Sequence, residues 1–375
     1  MTTVGVRQPD ISRGGVKWDG VKPIPLLITL AVGLIIWIVP PPAGVEIAAW
    51  HLFAVFVATI VGIIVAPLPM GAVAMLGIAA AVLSGALGTG GTAIGTGLSG
   101  FANTTIWLIV LAFFVARGFI KTGLGTRIAY LFIRLLGKKT LGLSYGLIAT
   151  DLVLAPVIPS NTARAGGVVF PVLLGINKIY ESNPDDGTAR KIGAFLTKSA
   201  FQGTVITSAM FLTAMAANPL AVELAAENAN VTVTWGGWAI AALVPGLLSL
   251  LVVPWLLYKL YPPEVKETPA ATEMAKEKLA EMGKLSRDEI FMLIAFVGLL
   301  GLWAIGSMLG VNATTAALIG LVFLLLVGVL TWEDVKAERG AWDTLVWFAA
   351  LVMMATQLNT LGLIPWFGDT MANAV

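Results

Sequence analysis

Residues 150–171 read TDLVLAPVIPSNTARAGGVVFP, and this stretch decides what kind of protein the chain is. It lies in an apolar segment from Leu141 to Ile176, yet its middle cannot continue a helix. Pro156 and Pro159 each remove a backbone N–H and push the residue before them out of the helical region. Ser160, Asn161 and Thr162 follow as three consecutive polar side chains, Arg164 adds a charge, and Gly166 and Gly167 loosen the backbone. A bare backbone in hydrocarbon is tolerated only where it is buried in protein or lines a wet cavity. Transporters build binding sites at the membrane midplane from broken helices of this kind. The plainer alternative is a proline kink repaired by Ser and Thr hydroxyls.

The composition sets the frame around that break. The chain has 375 residues, 58% of them hydrophobic and only 12% charged, and that charged share is about half of what a soluble domain carries. The charges gather at 1–22, 117–139, 178–198, 259–289 and 333–343. Between them run apolar stretches of roughly 17–25 residues, the length that spans a bilayer. The fold class is therefore an all-α polytopic membrane protein. Without cysteine there are no disulfides, thiolates or Cys-bound metals, and the single histidine, His51, rules out zinc sites of the His-cluster kind. Beside Trp50, His51 reads as a packed or interfacial residue. A net charge of +2 gives no reason to expect nucleic acid as a partner. The first apolar run, from Ile24 to Pro40-Pro41-Pro42, has no small-residue cleavage pattern. An intramembrane enzyme would need a paired acid and base or a metal set, which one His and scattered acids do not supply. We expect no enzyme and no cofactor, and no ring of pore-lining residues suggests a channel.

In chain order, residues 1–23 form a polar tail in which Arg7, Arg13, Lys17 and Lys22 outnumber Asp10 and Asp19, which places this end in the cytoplasm. Spans are predicted at 24–40, 48–66 and 70–88, and the Gly-, Ser- and Thr-rich residues 84–100 read as a loop. Residues 101–137 start apolar but meet Arg117, Lys121 and Arg127. A charge at the centre of a lipid-facing helix costs about 2.5–3.5 kcal/mol. Either a helix–turn–helix enters and leaves by one face, or one span is followed by an amphipathic surface helix. Residues 141–176 hold the broken helix, and Asn183-Pro184-Asp185-Asp186-Gly187 marks a turn. The segment 194–217 carries Lys198, Gln202, Thr204, Thr207, Ser208 and Thr213, more polar groups than packing needs, and reads as a cavity-lining helix. A span at 236–257 closes on Trp255, Tyr258 and Tyr261, an interfacial aromatic belt. Residues 259–289 form a charged, solvated linker helix, with Glu273–Lys276 and Glu281–Lys284 spaced to pair. Spans at 290–309 and 312–330 follow.

An internal repeat organises these pieces. NTTIWL at 103–108 returns as DTLVWF at 343–348, and Thr122-Gly123-Leu124 returns as Thr360-Leu361-Gly362-Leu363. The first repeat covers 24–258 and the second begins at 290 and runs to 375. Repeated halves with the substrate at their interface are a common build of secondary transporters. A second broken helix is expected about 35 to 45 residues beyond 341–370, so the sequence reads as truncated at its C-terminus.

Ser160-Asn161-Thr162, together with the run QGTVITSAMFLTAMAANP at 202–219, resembles the divalent anion:sodium symporter family. The likeness extends over 24–375 and is strongest to the branch of the plastid 2-oxoglutarate/malate translocator and the bacterial citrate/succinate and tartrate/succinate antiporters. The resemblance implies an inverted-repeat secondary active transporter of dicarboxylates or tricarboxylates such as 2-oxoglutarate, malate, succinate and citrate. It implies a scaffold, an elevator-type moving domain, and re-entrant hairpins matching 101–137 and 341–370. It also implies substrate carboxylates at the Ser-Asn-Thr motifs, a homodimer in the bilayer and, for a bacterial member, the plasma (inner) membrane. One tension follows. Three spans after a cytoplasmic N-terminus bring the chain to residue 101 from outside, whereas the family hairpin enters from the cytoplasm. A further span within 89–137, or a different segmentation, would resolve it.

The chemistry suits a diacid, which brings two charges and at least four acceptor oxygens. Asn161 offers amide donors, Ser160 and Thr162 offer hydroxyls, and half-helix N-termini offer positive dipole ends. Thr207, Ser208 and Arg164 complete the candidate substrate-binding set. In sodium-coupled members a serine four positions before the motif helps to hold Na⁺; here that position is Pro156. Arg164, or else Lys198, is read as the fixed charge that replaces sodium, which makes the protein an anion exchanger. In the alternative, a sodium-coupled dicarboxylate symporter, Ser160 and Asn161 would hold the ion. Arg164 could also simply pair with Asp151.

Overall fold

The computed structural model describes residues 20–229 and 231–374, so most of the expected N-terminal tail lies outside the described residues. The chain forms two compact units, one of Ser99–Ala349 and the other of Met1–Leu98 with Ala350–Val375. Among the described residues the regular structure is helical, apart from one isolated bridge between Lys139 and Glu267. Among the described residues, five helices are long and apolar enough to cross a membrane.

The first unit begins with α1 (Pro23–Ile38), α2 (Ile47–Val65), α3 (Met70–Leu83) and the short α4 (Gly90–Gly97). Prolines punctuate it. The Trp50 indole N–H donates to the carbonyls of Ile36 (2.9 Å) and Val39 (2.8 Å), satisfying the end of α1 where Pro40 stops it. Between α2 and α3, Ala66 turns left-handed at φ 52°, and its N–H closes on the Gly62 carbonyl at 2.9 Å. His51 stacks on Trp37 with ring centroids 3.7 Å apart, a packing role.

The second unit opens with α5 (Thr104–Thr122), which starts where the Asn103 side-chain oxygen accepts the N–H groups of Thr105 (2.9 Å) and Ile106 (3.0 Å). It ends at Gly123, whose φ of 75° suits glycine at a helix C-terminus. Next come α6 (Leu124–Leu136), α7 (Thr140–Leu154), the single turn α8 (Asn161–Arg164), a π turn at Ala165–Val169, and α9 (Phe170–Ile179). Then α10 (Gly193–Met210), a 3-10 turn at Leu212–Ala214, α11 (Ala217–Ala229) and α12 (Trp235–Leu260) lead to the linker helix α13 (Pro269–Met282). Beyond it lie α14 (Arg287–Ile305), α15 (Ala313–Leu326), the short α16 (Trp332–Ala337) and α17 (Arg339–Thr360), which carries the boundary between the units, and then α18 (Leu363–Ala374).

Residues 101–137 hold two helices, α5 and α6, joined at Gly123. With 19 residues, α5 is about 28 Å long, enough to span. It runs antiparallel to α14: Gly118 lies against Met292 near the start of α14, and Thr104 shares a cavity with Trp303 near its end. The charges that argued against a continuous helix fall in its last turns, where Lys121 meets Asp334 at 2.6 Å. From Gly123 the chain turns into amphipathic α6, which lies antiparallel along α13. Arg127 donates to the Gly283 carbonyl (2.9 Å) at one end of α13, and Thr268 donates to the Gly137 carbonyl (2.7 Å) at the other. By length and composition α5 could cross a membrane, with amphipathic α6 following it.

The segment 140–179 also turns back on itself. At its start, Thr140 donates through its N–H to the Lys266 carbonyl (3.0 Å) and through its hydroxyl to the Val265 carbonyl (2.5 Å). At its end, the Tyr180 hydroxyl accepts the Ala271 N–H at 3.4 Å. Both ends therefore lie at the linker. The linker itself is docked, not freely solvated: Ala271, Thr272 and Ala275 are buried, and small side chains let it sit close against α6. Its outer face carries Glu273–Lys276 and, in place of the expected Glu281–Lys284, Lys278–Glu281.

The two helices that carry the matched sequences, α5 and α17, lie side by side. Phe114 of α5 packs on Trp342 near the start of α17, while the segment just before α5, at Gly100, touches the carbonyl of Ala349 further along it, so the two helices are antiparallel. The turn after α17 again uses a left-handed glycine, Gly362 at φ 81°, matching Gly123. As with 101–137, the expected hairpin at 341–370 is a helix of spanning length followed by a shorter one. Trp366 of α18 donates to the Ala43 carbonyl at 3.0 Å.

Candidate functional site

Two interruptions in the helices make the site. At the first, α7 ends in a turn in which the N–H groups of Val157 (3.2 Å) and Ile158 (3.0 Å) both reach back to the Leu154 carbonyl. Pro159 and the extended Ser160 then reset the chain, and the Ser160 hydroxyl caps α8 by accepting the Ala163 N–H at 3.2 Å. At the second, α10 stops at Met210, and Phe211 and Met215 are extended on either side of the 3-10 turn. The carbonyls exposed there are claimed by side chains. The Asn218 amide donates to Ser208 O (2.7 Å) and Phe211 O (2.9 Å), and the Trp238 indole donates to Ala209 O (2.9 Å). The two breaks are tied together by the Thr213 hydroxyl, which donates to the Pro156 carbonyl and accepts the Trp235 indole N–H at 2.9 Å.

Arg164 is the centre of this arrangement and is completely buried. Its Nε donates to Asp151 Oδ1 at 3.1 Å. One terminal nitrogen donates to the carbonyls of Ile158 in the first break and Ala214 in the second, both at 2.6 Å. The other donates to the Ser208 hydroxyl at 2.9 Å. Four of the five guanidinium N–H groups are thus committed. Asp151, on α7, also accepts the Thr207 hydroxyl. Ser208 Oγ lies 2.8 Å from the Asn161 amide oxygen and 2.5 Å from the Thr204 carbonyl, so the network reaches the Ser-Asn-Thr motif.

This geometry divides the six expected ligand residues. Arg164, Thr207 and Ser208 stand behind the site, their polar atoms engaged with one another and with Asp151. Ser160 and Asn161 are half-buried and Thr162 is exposed. The N–H groups of Asn161 and Thr162, at the start of α8, have no acceptor within the helix. Asn161 and Thr162 also border a groove of about 410 Å³ between α8–α9 and α10, whose other polar lining is Thr197 and Thr204. Lys198 is not in the site: its ammonium lies 3.6 Å from the Tyr261 ring centroid, a cation–π contact. Asp151 was legible only as a partner for Arg164, and Thr213 and Trp235 gave no signal as bridges between the breaks.

Among the described residues no group of three or more His, Cys, Asp or Glu side chains could hold a metal. Arg164 already donates to two break carbonyls, a Ser hydroxyl and one oxygen of the Asp151 carboxylate.

Residues 21–375 match the sodium:sulfate symporter transmembrane region. The chain belongs to that family. Within it, the chain is 59% identical to a putative malate transporter of Bacillus subtilis, over 96% of this chain and 74% of the relative. It is 50% identical to the chloroplast dicarboxylate transporter 1 of Arabidopsis thaliana, over 98% of this chain and 65% of the relative. It is 39% identical to the L-tartrate/succinate antiporter of Escherichia coli, over 93% of this chain and 74% of the relative. The chain thus spans about two thirds to three quarters of the length of these relatives. It is an integral membrane protein of a transporter family, and the names of its relatives are those of carriers rather than enzymes.

Proposed function

We propose that the protein is a secondary active carrier of dicarboxylates or tricarboxylates, of the 2-oxoglutarate, malate, succinate and citrate class, and that it works by exchange. The observation that carries this reading is the tethered cation. Arg164 donates to the carbonyls of both breaks and to the Asp151 carboxylate, a fixed positive charge that supports a reading without a coupling sodium. One substrate carboxylate lies at the start of α8, on the Asn161 amide, the Thr162 hydroxyl and the free N–H groups of that turn. In this reading 140–179 is a re-entrant hairpin that dips into the bilayer from the linker side, with the motif at its tip. The site-bearing helices move as an elevator body, the protein is a homodimer, and it resides in a bacterial-type plasma membrane.

The family's description favours a second reading, a sodium-coupled symporter in which Ser160 and Asn161 hold the ion. One assay separates the two. Liposomes containing the protein are loaded with unlabelled malate, and uptake of labelled 2-oxoglutarate is followed with and without sodium. Exchange predicts uptake that needs internal diacid and is indifferent to sodium. Uptake into empty vesicles driven by a sodium gradient would establish the symporter instead.

A further inference from the structure

The site-bearing helices α7–α12 pack among themselves, with α10 against α7 and α12. Facing them stand α5, α14 and α15. A cleft of about 430 Å³ separates the two groups on the side away from the linker, with Pro219, Val222 and Trp235 on one wall and Thr104, Leu108 and Trp303 on the other. The cleft is mostly apolar, and Trp235 stacks across it on Trp303 with ring centroids 5.8 Å apart. Among the described residues, one side-chain hydrogen bond joins α7–α12 to α5, α14 and α15: the Asn103 amide donates to Glu223 Oε1 of α11.

Both partners are committed in a way that suits a contact made and broken as a unit. The Asn103 oxygen is held by the first N–H groups of α5, so its NH₂ is aimed outward. A carboxylate, which can only accept, is the matching partner, and its charge is favourable beside a helix N-terminus. The second oxygen, Glu223 Oε2, is buried without a partner. Glu223 also sits on the same helix as Asn218, which holds the carbonyls of the second break, so a pull on Glu223 is felt behind the site.

We propose that Asn103–Glu223 is a latch that holds the site-bearing helices in this state, and that the transport step must break and remake it. The proposal rests on the carrier reading above. The chain has no cysteine, so introduced pairs can be read without background. In N103C/E223C, oxidation to the disulfide is expected to cut exchange by about tenfold or more, equivalent to at least 1.4 kcal/mol on the barrier, and reduction should restore it. T104C/T314C joins two residues on the same wall, where Thr314 already donates to the Thr104 carbonyl at 2.9 Å, and its oxidation should leave exchange unchanged. An oxidised N103C/E223C protein that exchanges as fast as its reduced form would overturn the latch.

A charge swap gives an independent arm. Asn103→Asp keeps a good cap for α5 but sets two carboxylates against each other. Its exchange should fall several-fold, with turnover affected more than KM, and Glu223→Gln in the same chain should return it to within about twofold of wild type. Asn103→Asp and Glu223→Gln that combine additively in both exchange and melting temperature would also overturn the latch. A wild-type protein that exchanges no diacid would count against the carrier reading, and the coupling in melting temperature then decides the latch alone.

Discussion

Two buried arginines do similar chemistry at opposite ends of the protein's problem. Arg164 pairs with Asp151 and donates to the carbonyls of Ile158 and Ala214; the two side chains are 0% and 2% exposed. Arg127 makes a two-pronged pair with Glu289, at 2.5 and 3.1 Å, and donates to the carbonyls of Met282 and Gly283; these side chains are 10% and 4% exposed. Each gathers main-chain oxygens that a helix has left behind. The difference lies in what else could serve. Arg127 closes the C-terminus of α13 at a corner near solvent, where water is an alternative partner. Arg164 serves two interruptions within the helical body, where water is not at hand, and an unsatisfied carbonyl there costs several kcal/mol. Arg127 ends a helix, and Arg164 allows two helices to be broken.

Mutations can sharpen or break that contrast. Arg164→Ala leaves Asp151 buried without its partner, a loss of about 3–5 kcal/mol for a buried pair, and should abolish exchange and lower the melting temperature in detergent or lipid. Arg164→Lys should rescue little, because an ammonium cannot reproduce the planar fork that spans both breaks. Arg127→Ala should cost less, about 2–3 kcal/mol, because Glu289 keeps its bonds to Ser286 and the α13 carbonyls regain water. Equal losses at the two arginines, measured by thermal unfolding, would erase the distinction. Thr207→Val removes one hydroxyl from Asp151 and should cost about 1.5–3 kcal/mol, with exchange reduced but not lost.

The smallest expected effect is at Asp334, outside the spans. Burial pushes its carboxyl up, but the Lys121 ammonium and the Thr331 N–H and hydroxyl outweigh that and hold it down at about 2. A carboxyl lowered from its ordinary 3.8 stabilises the fold above about pH 4 and loses that contribution as pH falls toward 2. Acid unfolding of Lys121→Ala should therefore differ from wild type at neutral pH and converge with it near pH 2. A difference that persists below that point would show that Lys121 acts through something other than this carboxylate.

The sequence revealed the first break and not the second. Pro156, Pro159 and the three polar residues announce the interruption at 155–160. Phe211 to Ala216 contain neither proline nor glycine, and only Asn218-Pro219, after the fact, marks the second interruption. Long-range partners explain the other differences. Arg117, Lys121 and Arg127 look like obstacles to a membrane helix until Asp334 and Glu289, far away in sequence, are seen beside the last two. The amphipathic pattern of 124–136 fits a hairpin limb as well as a surface helix, and only the docking of α13 along it separates the two. Thr207 and Ser208 were recognised as functional by type. Their place behind Asn161 depends on which face of α10 meets α7, which the chain's polar pattern does not encode.

The most direct test is chemical rescue of the missing cation. Labelled malate exchange is measured for wild type and Arg164→Ala in liposomes, with and without millimolar guanidinium and with and without sodium. If Arg164 is the cation that holds the two breaks together, wild type exchanges equally well in either salt, while the variant is inactive and regains measurable exchange with guanidinium. A wild type that needs sodium, or an Arg164→Ala variant that exchanges normally, would contradict the account.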